Sequence, residues 1–294
     1  MPFEAWAKKG CLRVAPIQSR SPRVLPSMIA LILAVSLGLS LAMILVWVFQ
    51  RAVNNGGWTD VGWTFATGAA GVVYALWPLD GPPTARQALC AVLIATWSLR
   101  LGLHLARRVG GSPHEDARYA RFRQDWAPHF QSRMFSFLQT QAVAGALLAL
   151  AVLAAARNAA PGLGWRDIAG AALMLAAILG EGLADAQLAR WKRDPAHHGG
   201  VCEAGLWGWS RHPNYFFEWL VWLAWPLIAI APDHPWGWSA VIGPAFILLL
   251  LLKVSGLPPL EAAMLRSRGD AWRDYQRRVS AFVPLPPKKD RARA

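Results

Sequence analysis

The chemistry-bearing residues of this chain sit at helical spacing inside apolar surroundings. In GLWGWSRHPNYFFEW (205–219), Arg211 and His212 precede Pro213, which suits the first turn of a helix, and Asn214, Glu218 and Trp222 follow one turn apart on one face. A helix start offers free backbone N–H groups and a positive dipole end, so with the Arg211 fork this stretch suits a phosphate or carboxylate. The polar stripe behind it suits the hydrogen-bonding ring of the same ligand. The alternative is that Arg211 and His212 anchor at lipid headgroups, which leaves Glu218 unexplained.

Three further groups carry charge where the flanking sequence is apolar. Glu181 and Asp185 lie one turn apart in GEGLADAQLARWKRD, with Lys192 and Arg193 at its basic end. Arg100, His104 and Arg107 share a face of WSLRLGLHLARR. Asp60 opens WTDVGW, beside Trp63. A charge at bilayer depth costs on the order of 3 kcal/mol, so each needs a partner, a route to the surface or a function. Glu181 and Asp185 fit either a ligand stripe or an internal ion-pair ladder, Arg100 either a cavity lining or a structural salt bridge, and Asp60 either a substrate contact or a helix cap. Lys253 ends the last apolar run, where it can snorkel to the surface and reach an anion.

Several chemistries are excluded. No GxSxG, HExxH, Walker A or strand-linked GxGxxG pattern is present. The three cysteines, Cys11, Cys90 and Cys202, are isolated, so neither a disulfide framework nor a thiolate metal site is expected.

The elements that position these groups follow from composition. The 294 residues are 55% hydrophobic and 16% charged, too apolar for a soluble domain of this length. Apolar runs at 28–49, 58–78, 86–105, 135–156, 167–188, 215–231 and 236–254 approach the roughly 20 residues that cross a bilayer. They predict an all-α integral membrane bundle of about seven transmembrane helices. A basic segment, 1–26, precedes a single domain, 27–294, and the run at 28–49 is too long for a signal-peptide core.

The net charge of +13 concentrates in the connections and the tail, where it reads as a topology signal and a contact with membrane lipids rather than as nucleic-acid binding. The basic stretches after the third and fifth runs, and the tail, are expected in the cytoplasm. Counting back places the N-terminus outside, against the basic residues that precede the first run.

Four stretches in order, ADAQLARWKRDP, GLWGWSRHPNYFFEW, LLKVSGLPPLE and YQRRVSAFVPLPP, resemble the bacterial DUF1295 family, relatives of the steroid 5-alpha-reductases. The resemblance runs from about Asp60 onward and is strongest over 181–287. It implies a seven-helix bundle in a bacterial inner membrane, with NADPH entering from the cytoplasmic side and an apolar enone, steroid- or isoprenoid-like, reaching a cavity among the N-terminal helices from the bilayer. By motif position, Asp185, Lys192, Arg193, Tyr215, Lys253 and Tyr275 are expected beside the cofactor. Asn214 and Glu218 match nicotinamide and ribose contacts, Arg211 and His212 would meet phosphates, and Trp63 and Arg100 would line the substrate cavity.

The chain also departs from its relatives. Phe217 stands where the pattern usually has Gly, Glu181 replaces an Asn, and RSRGDAWRDYQ replaces a Pro-Gly-Tyr segment before Trp272 and Tyr275. The steroid enzymes polarise the substrate carbonyl with an acid and a Tyr from their N-terminal half. Here the sequence shows Asp60 as the best available acid, in the catalytic role, and no clear Tyr beside it. The rival reading is a membrane methyltransferase of the isoprenylcysteine or phospholipid type, which shares RHP-x-Y and a later Glu, here Glu261, and uses S-adenosylmethionine.

Overall fold

The computed structural model describes residues 24–79 and 82–288, and most of the basic segment 1–26 therefore lies outside the described residues. Ten α-helices follow in order: α1 Val24–Ala52, α2 Trp58–Leu76, α3 Ala85–Gly110, α4 Ala117–Asp125, α5 Phe130–Ala156, α6 Trp165–Arg193, α7 Pro213–Ala229, α8 Ile242–Leu249, α9 Leu257–Arg268 and α10 Asp270–Arg278. No named strand occurs among the described residues, as the all-α expectation requires. A π turn, Leu250–Val254, extends α8 and carries Lys253.

Among the described residues, five segments are long and apolar enough to cross a membrane: α1, α3, α5, α6 and the broken stretch Pro235–Arg268. Of the seven expected runs, five thus meet the length and composition of a membrane span. The 17-residue α7 and the 19-residue α2 are not among them. Polar groups at Asp60, Thr64 and Thr67 interrupt α2, and α7 ends where Ile230 turns to extended backbone.

Helix α1 shows how an apolar helix is divided between protein and lipid. Leu31, Val35, Leu39 and Met43 are buried, while Leu33, Leu37, Leu41 and Leu45 face outward, each set at four-residue spacing. The buried set packs with α2 and α5, and a second core forms around Trp97, Trp222 and Trp225 where α3, α5, α6 and α7 meet.

Small residues set how closely α6 and α7 approach. Gly170 lies against Ile228 and the Ala224 carbonyl, and Gly180 lies against the Phe217 ring, so a Cβ at either position would collide. This resolves the Phe217 departure, because the ring that replaces a small residue on α7 fits over a glycine on α6.

At one end of the bundle Arg86 fastens the α5–α6 connection. It pairs with both oxygens of Asp167, at 2.7 and 2.8 Å, and donates to the carbonyls of Asn158, Ala160 and Gly162. Basic last turns of α1, α3 and α6, with Lys253, occupy the other end, where Gln50 meets Gln131 and the Gly56 amide meets Glu115.

Candidate functional site

A band of polar side chains crosses α3, α6 and α7 towards the basic end. Its deepest member is Glu218, on the second turn of α7 and 9% exposed. One carboxylate oxygen accepts from Trp97 Nε1 and the other from Trp222 Nε1, each at 2.9 Å. Glu218 therefore meets two neutral indoles in place of a cation.

The next layer is ionic. Arg100 on α3 reaches Glu181 at 2.7 Å and Asp185 at 2.6 Å, so the acids predicted one turn apart share a guanidinium. His104 Nε2 lies 3.5 Å from Asp185, and Asn214 Nδ2 donates to the other Asp185 oxygen at 3.4 Å. Two carboxylates, Glu181 and Asp185, thus share one guanidinium, with Glu218 held by the indoles beside them. Glu181 Oε2 is buried and has no hydrogen-bond partner among the described residues. This oxygen is an acceptor ready for a ligand N–H or O–H.

A third group extends the band to α4. Tyr119, fully buried, donates its hydroxyl proton to Asp60 Oδ1 at 2.8 Å and accepts from Arg118 Nη2 at 3.0 Å. Arg118 also pairs with Asp60 Oδ2. Burial disfavours the Arg118 charge, but Asp60, Tyr119, Asp116 and Tyr215 around it outweigh that cost and hold its pKa above the ordinary value. Burial, followed by the nearby Asp60 charge, raises the Tyr119 hydroxyl. The tyrosine that the fold brings to Asp60 is Tyr119. Its only local signal was its place in DARYAR, since its partner lies on another helix. Asp60 is not a helix cap, because Gly57 occupies that position without a side-chain bond.

Arg211 and His212 lie elsewhere than expected. Arg211 Nε and His212 Nε2 each sit 2.8 Å from Glu261 Oε1, and Arg211 Nη1 donates to the Val279 carbonyl at 2.7 Å. Trp272 Nε1, at 3.0 Å, and Gln276 donate to the other Glu261 oxygen. In place of the expected phosphates, an internal carboxylate takes these donors in this structure and fastens α9 and α10 to the start of α7. Tyr275, expected at the cofactor, is buried and donates to the Trp207 carbonyl. Trp63, expected at the substrate, donates to the Gln141 carbonyl on α5 at 2.9 Å, outside the polar band.

Several cations at the basic end have no carboxylate in an ion pair among the described residues. Lys192 and Arg193 are exposed, as is Lys253, and none is in an ion pair among the described residues. Lys192 has Arg108 and Arg268 as charged neighbours, from α3 and α9. Arg268 makes no ion pair either, and its Nε is buried without a hydrogen-bond partner. Sequence reasoning missed Arg268, because helix ends far apart in the chain bring it to Lys192.

Separately, an outward groove of about 630 Å³ runs between α1 and α2, lined by Ala30, Ala34, Gly38, Ala66, Ala70 and Trp77 among others. Its Ala66 edge lies about 9 Å along α2 from Asp60 at 1.5 Å rise per residue.

The family described as a protein of unknown function, DUF1295, matches residues 46–279. No curated protein and no solved structure matches the chain.

Proposed function

We propose, for a chain that belongs to the DUF1295 family, a multi-pass membrane enzyme that uses NADPH to reduce an activated C=C of an apolar substrate. The observation that carries this reading is the convergence of Lys192, Arg108 and Arg268 at the mouth of the polar band. Asp116 pairs with Arg108, which leaves the charges of Lys192 and Arg268 in excess there, and such an excess attracts an anion, a need that a phosphate group meets. Deeper in the same band, Asn214 and the unpartnered Glu181 Oε2 offer an amide and an acceptor to a carboxamide-bearing ring. The map of surface cations and inner acceptors fits a dinucleotide lying with its phosphates at the membrane surface.

NADPH, when bound, supplies a hydride to the β-carbon of the enone. The protein's contribution is alignment, exclusion of water by the Trp97, Trp222 and Trp225 core, and polarisation of the substrate oxygen. The Asp60–Tyr119 pair supports this reading as an acid and a tyrosine from the N-terminal half. The α1–α2 groove, within the 300–1,000 Å³ typical of small-molecule sites, supports substrate delivery from lipid. By the positive-inside rule, the basic helix ends support a cytoplasmic side for the tail and the cofactor in a bacterial inner membrane.

A methyltransferase is the second reading. Arg211, His212 and Glu261, the residues it shares with the isoprenylcysteine and phospholipid types, come together in the structure. Two carboxylates on one guanidinium, with Glu218 on neutral indoles nearby, also suit a cationic ligand end, such as a sulfonium.

Binding to the purified protein in lipid nanodiscs separates the two. The reductase reading expects NADPH to bind and S-adenosylmethionine not to, with Lys192→Gln and Arg268→Gln each weakening NADPH by roughly tenfold, the loss of one charge-assisted contact. Preference for S-adenosylmethionine would replace it.

A further inference from the structure

The first turns of α5 border a recess that the polar band does not use. It measures about 350 Å³ and lies between Trp126, Ser132, Arg133, Ser136 and Phe137. Trp126 follows α4, stacks on Phe122 at 4.3 Å between ring centroids and lies 6.1 Å from the Phe137 ring. Aromatic packing between α4 and α5 thus fixes one wall. The level of the recess is set by α1, whose Trp47 Nε1 donates to the Gln131 carbonyl at 3.0 Å and whose Gln50 Nε2 donates to the Gln131 side chain at 2.9 Å. Arg51 ends α1 one residue later, so the recess sits at the basic end, where α5 begins its apolar span. Rings gathered at such a level mark the headgroup region of a bilayer.

The lining has a definite chemistry. Arg133 is exposed, its guanidinium makes neither an ion pair nor a hydrogen bond among the described residues, and none of the lining residues is an acid. The Trp126 indole N–H also has no acceptor among the described residues. Ser132 and Ser136 give their hydroxyl protons to the His129 and Ser132 carbonyls, at 3.0 and 3.3 Å, so their oxygens are left to accept. A cation, an indole donor and two hydroxyl acceptors suit a phosphate ester that carries hydroxyl groups of its own.

The outward face of α5 turns apolar beyond this lining. Thr140 returns its hydroxyl to the Ser136 carbonyl at 3.1 Å, and Val143, next on that face, is 60% exposed. From Arg133 to Val143 the helix rises about 15 Å, half of a hydrocarbon core of roughly 30 Å. One amphiphile can therefore span both. We propose that the recess binds one anionic phospholipid, its phosphodiester on Arg133 and the Trp126 N–H, its hydroxylated head group on Ser132 and Ser136, and an acyl chain running past Phe137 to Val143. The site is separate from the Arg100 layer and does not depend on the reductase reading.

The test titrates the full chain in dodecylmaltoside micelles with phosphatidylglycerol or phosphatidylcholine and counts bound lipids by native mass spectrometry. Wild type is expected to hold one phosphatidylglycerol roughly fivefold more tightly than phosphatidylcholine, the worth of one cation beside an anionic lipid. Arg133→Gln should abolish that preference. Trp126→Phe, which keeps the stack on Phe122 but removes the N–H, should weaken phosphatidylglycerol by about threefold. Arg166→Gln removes the same charge from the start of α6, at the other end of the bundle, and should change nothing. Equal binding of the two lipids by wild type would overturn the proposal, as would a preference that survives Arg133→Gln. An equal loss in Arg166→Gln would also overturn it, by showing that overall charge and not the recess selects the lipid. Glycerophosphoglycerol, the same head group without chains, should not displace the lipid at equal concentration; displacement would overturn the lipid assignment in favour of a free phosphate ester.

Discussion

Arg211 Nε donates to Glu261 Oε1 across 2.8 Å, from the residue before the α7 cap to the first turns of α9. His212 shares that oxygen, and Trp272 and Gln276 take the other. The loop and the tail then run side by side, with the Arg211 amide on the Ser280 carbonyl and the Ser210 hydroxyl on the Phe282 carbonyl. The basic motif is in this way the fastening of the C-terminal helices.

From this fastening it follows that Arg211→Ala acts on the tail before it acts on any ligand. Removing the guanidinium leaves the Val279 carbonyl and part of Glu261 without a donor, at a cost of about 1–3 kcal/mol for the docked segment. Hydrogen exchange should rise across α10 and residues 279–285, while NADPH affinity changes by less than threefold. Loss of NADPH binding with unchanged exchange in α10 would return Arg211 to the phosphate role.

Gly180 and Phe217 should behave as one unit. A methyl group at 180 collides with the Phe217 ring, so Gly180→Ala should destabilise the α6–α7 contact by about 1–3 kcal/mol, as overpacking does. Phe217→Leu alone leaves space over Gly180, and the double variant should be more stable than the sum of the single changes. Thermal unfolding of the four proteins in one detergent measures this coupling, and strict additivity would show that the two helices can shift apart at no cost.

The contrast between these residues shows what the sequence could reveal. Glu181 with Asp185, Arg100 with His104, and Asn214 with Glu218 were legible because each pair lies four residues apart, and the period of the helix alone puts them on one face. The all-helical membrane class was legible from the length of the apolar runs. Tyr119 at Asp60, Arg268 at Lys192 and Glu261 at Arg211 were not legible, since each joins helices whose packing no local period encodes. The Gly180–Phe217 fit was hidden for the same reason. Span number is less legible, because the 17-residue α7 and the polar α2 lie at the limit of what length and apolarity can identify.

The ionic layer around Arg100 allows structure and function to be separated. Arg100→Gln leaves Glu181 and Asp185 buried or half-buried without their cation, which should cost about 3–5 kcal/mol. Neutralising all three, as Arg100→Gln with Glu181→Gln and Asp185→Asn, removes the unpaired charges and should recover most of that stability, because neutral amides of similar shape can hydrogen-bond to one another. A scaffold whose charges only hold helices together would then lose nothing else. A cofactor site would lose the acceptors that face the ligand, so the triple variant should unfold near the wild-type temperature and yet bind NADPH at least tenfold more weakly. Unfolding temperature and NADPH titration on the same preparation decide between them. Recovered stability with undiminished binding would show that the Arg100 layer is a helix fastening and that the ligand lies elsewhere.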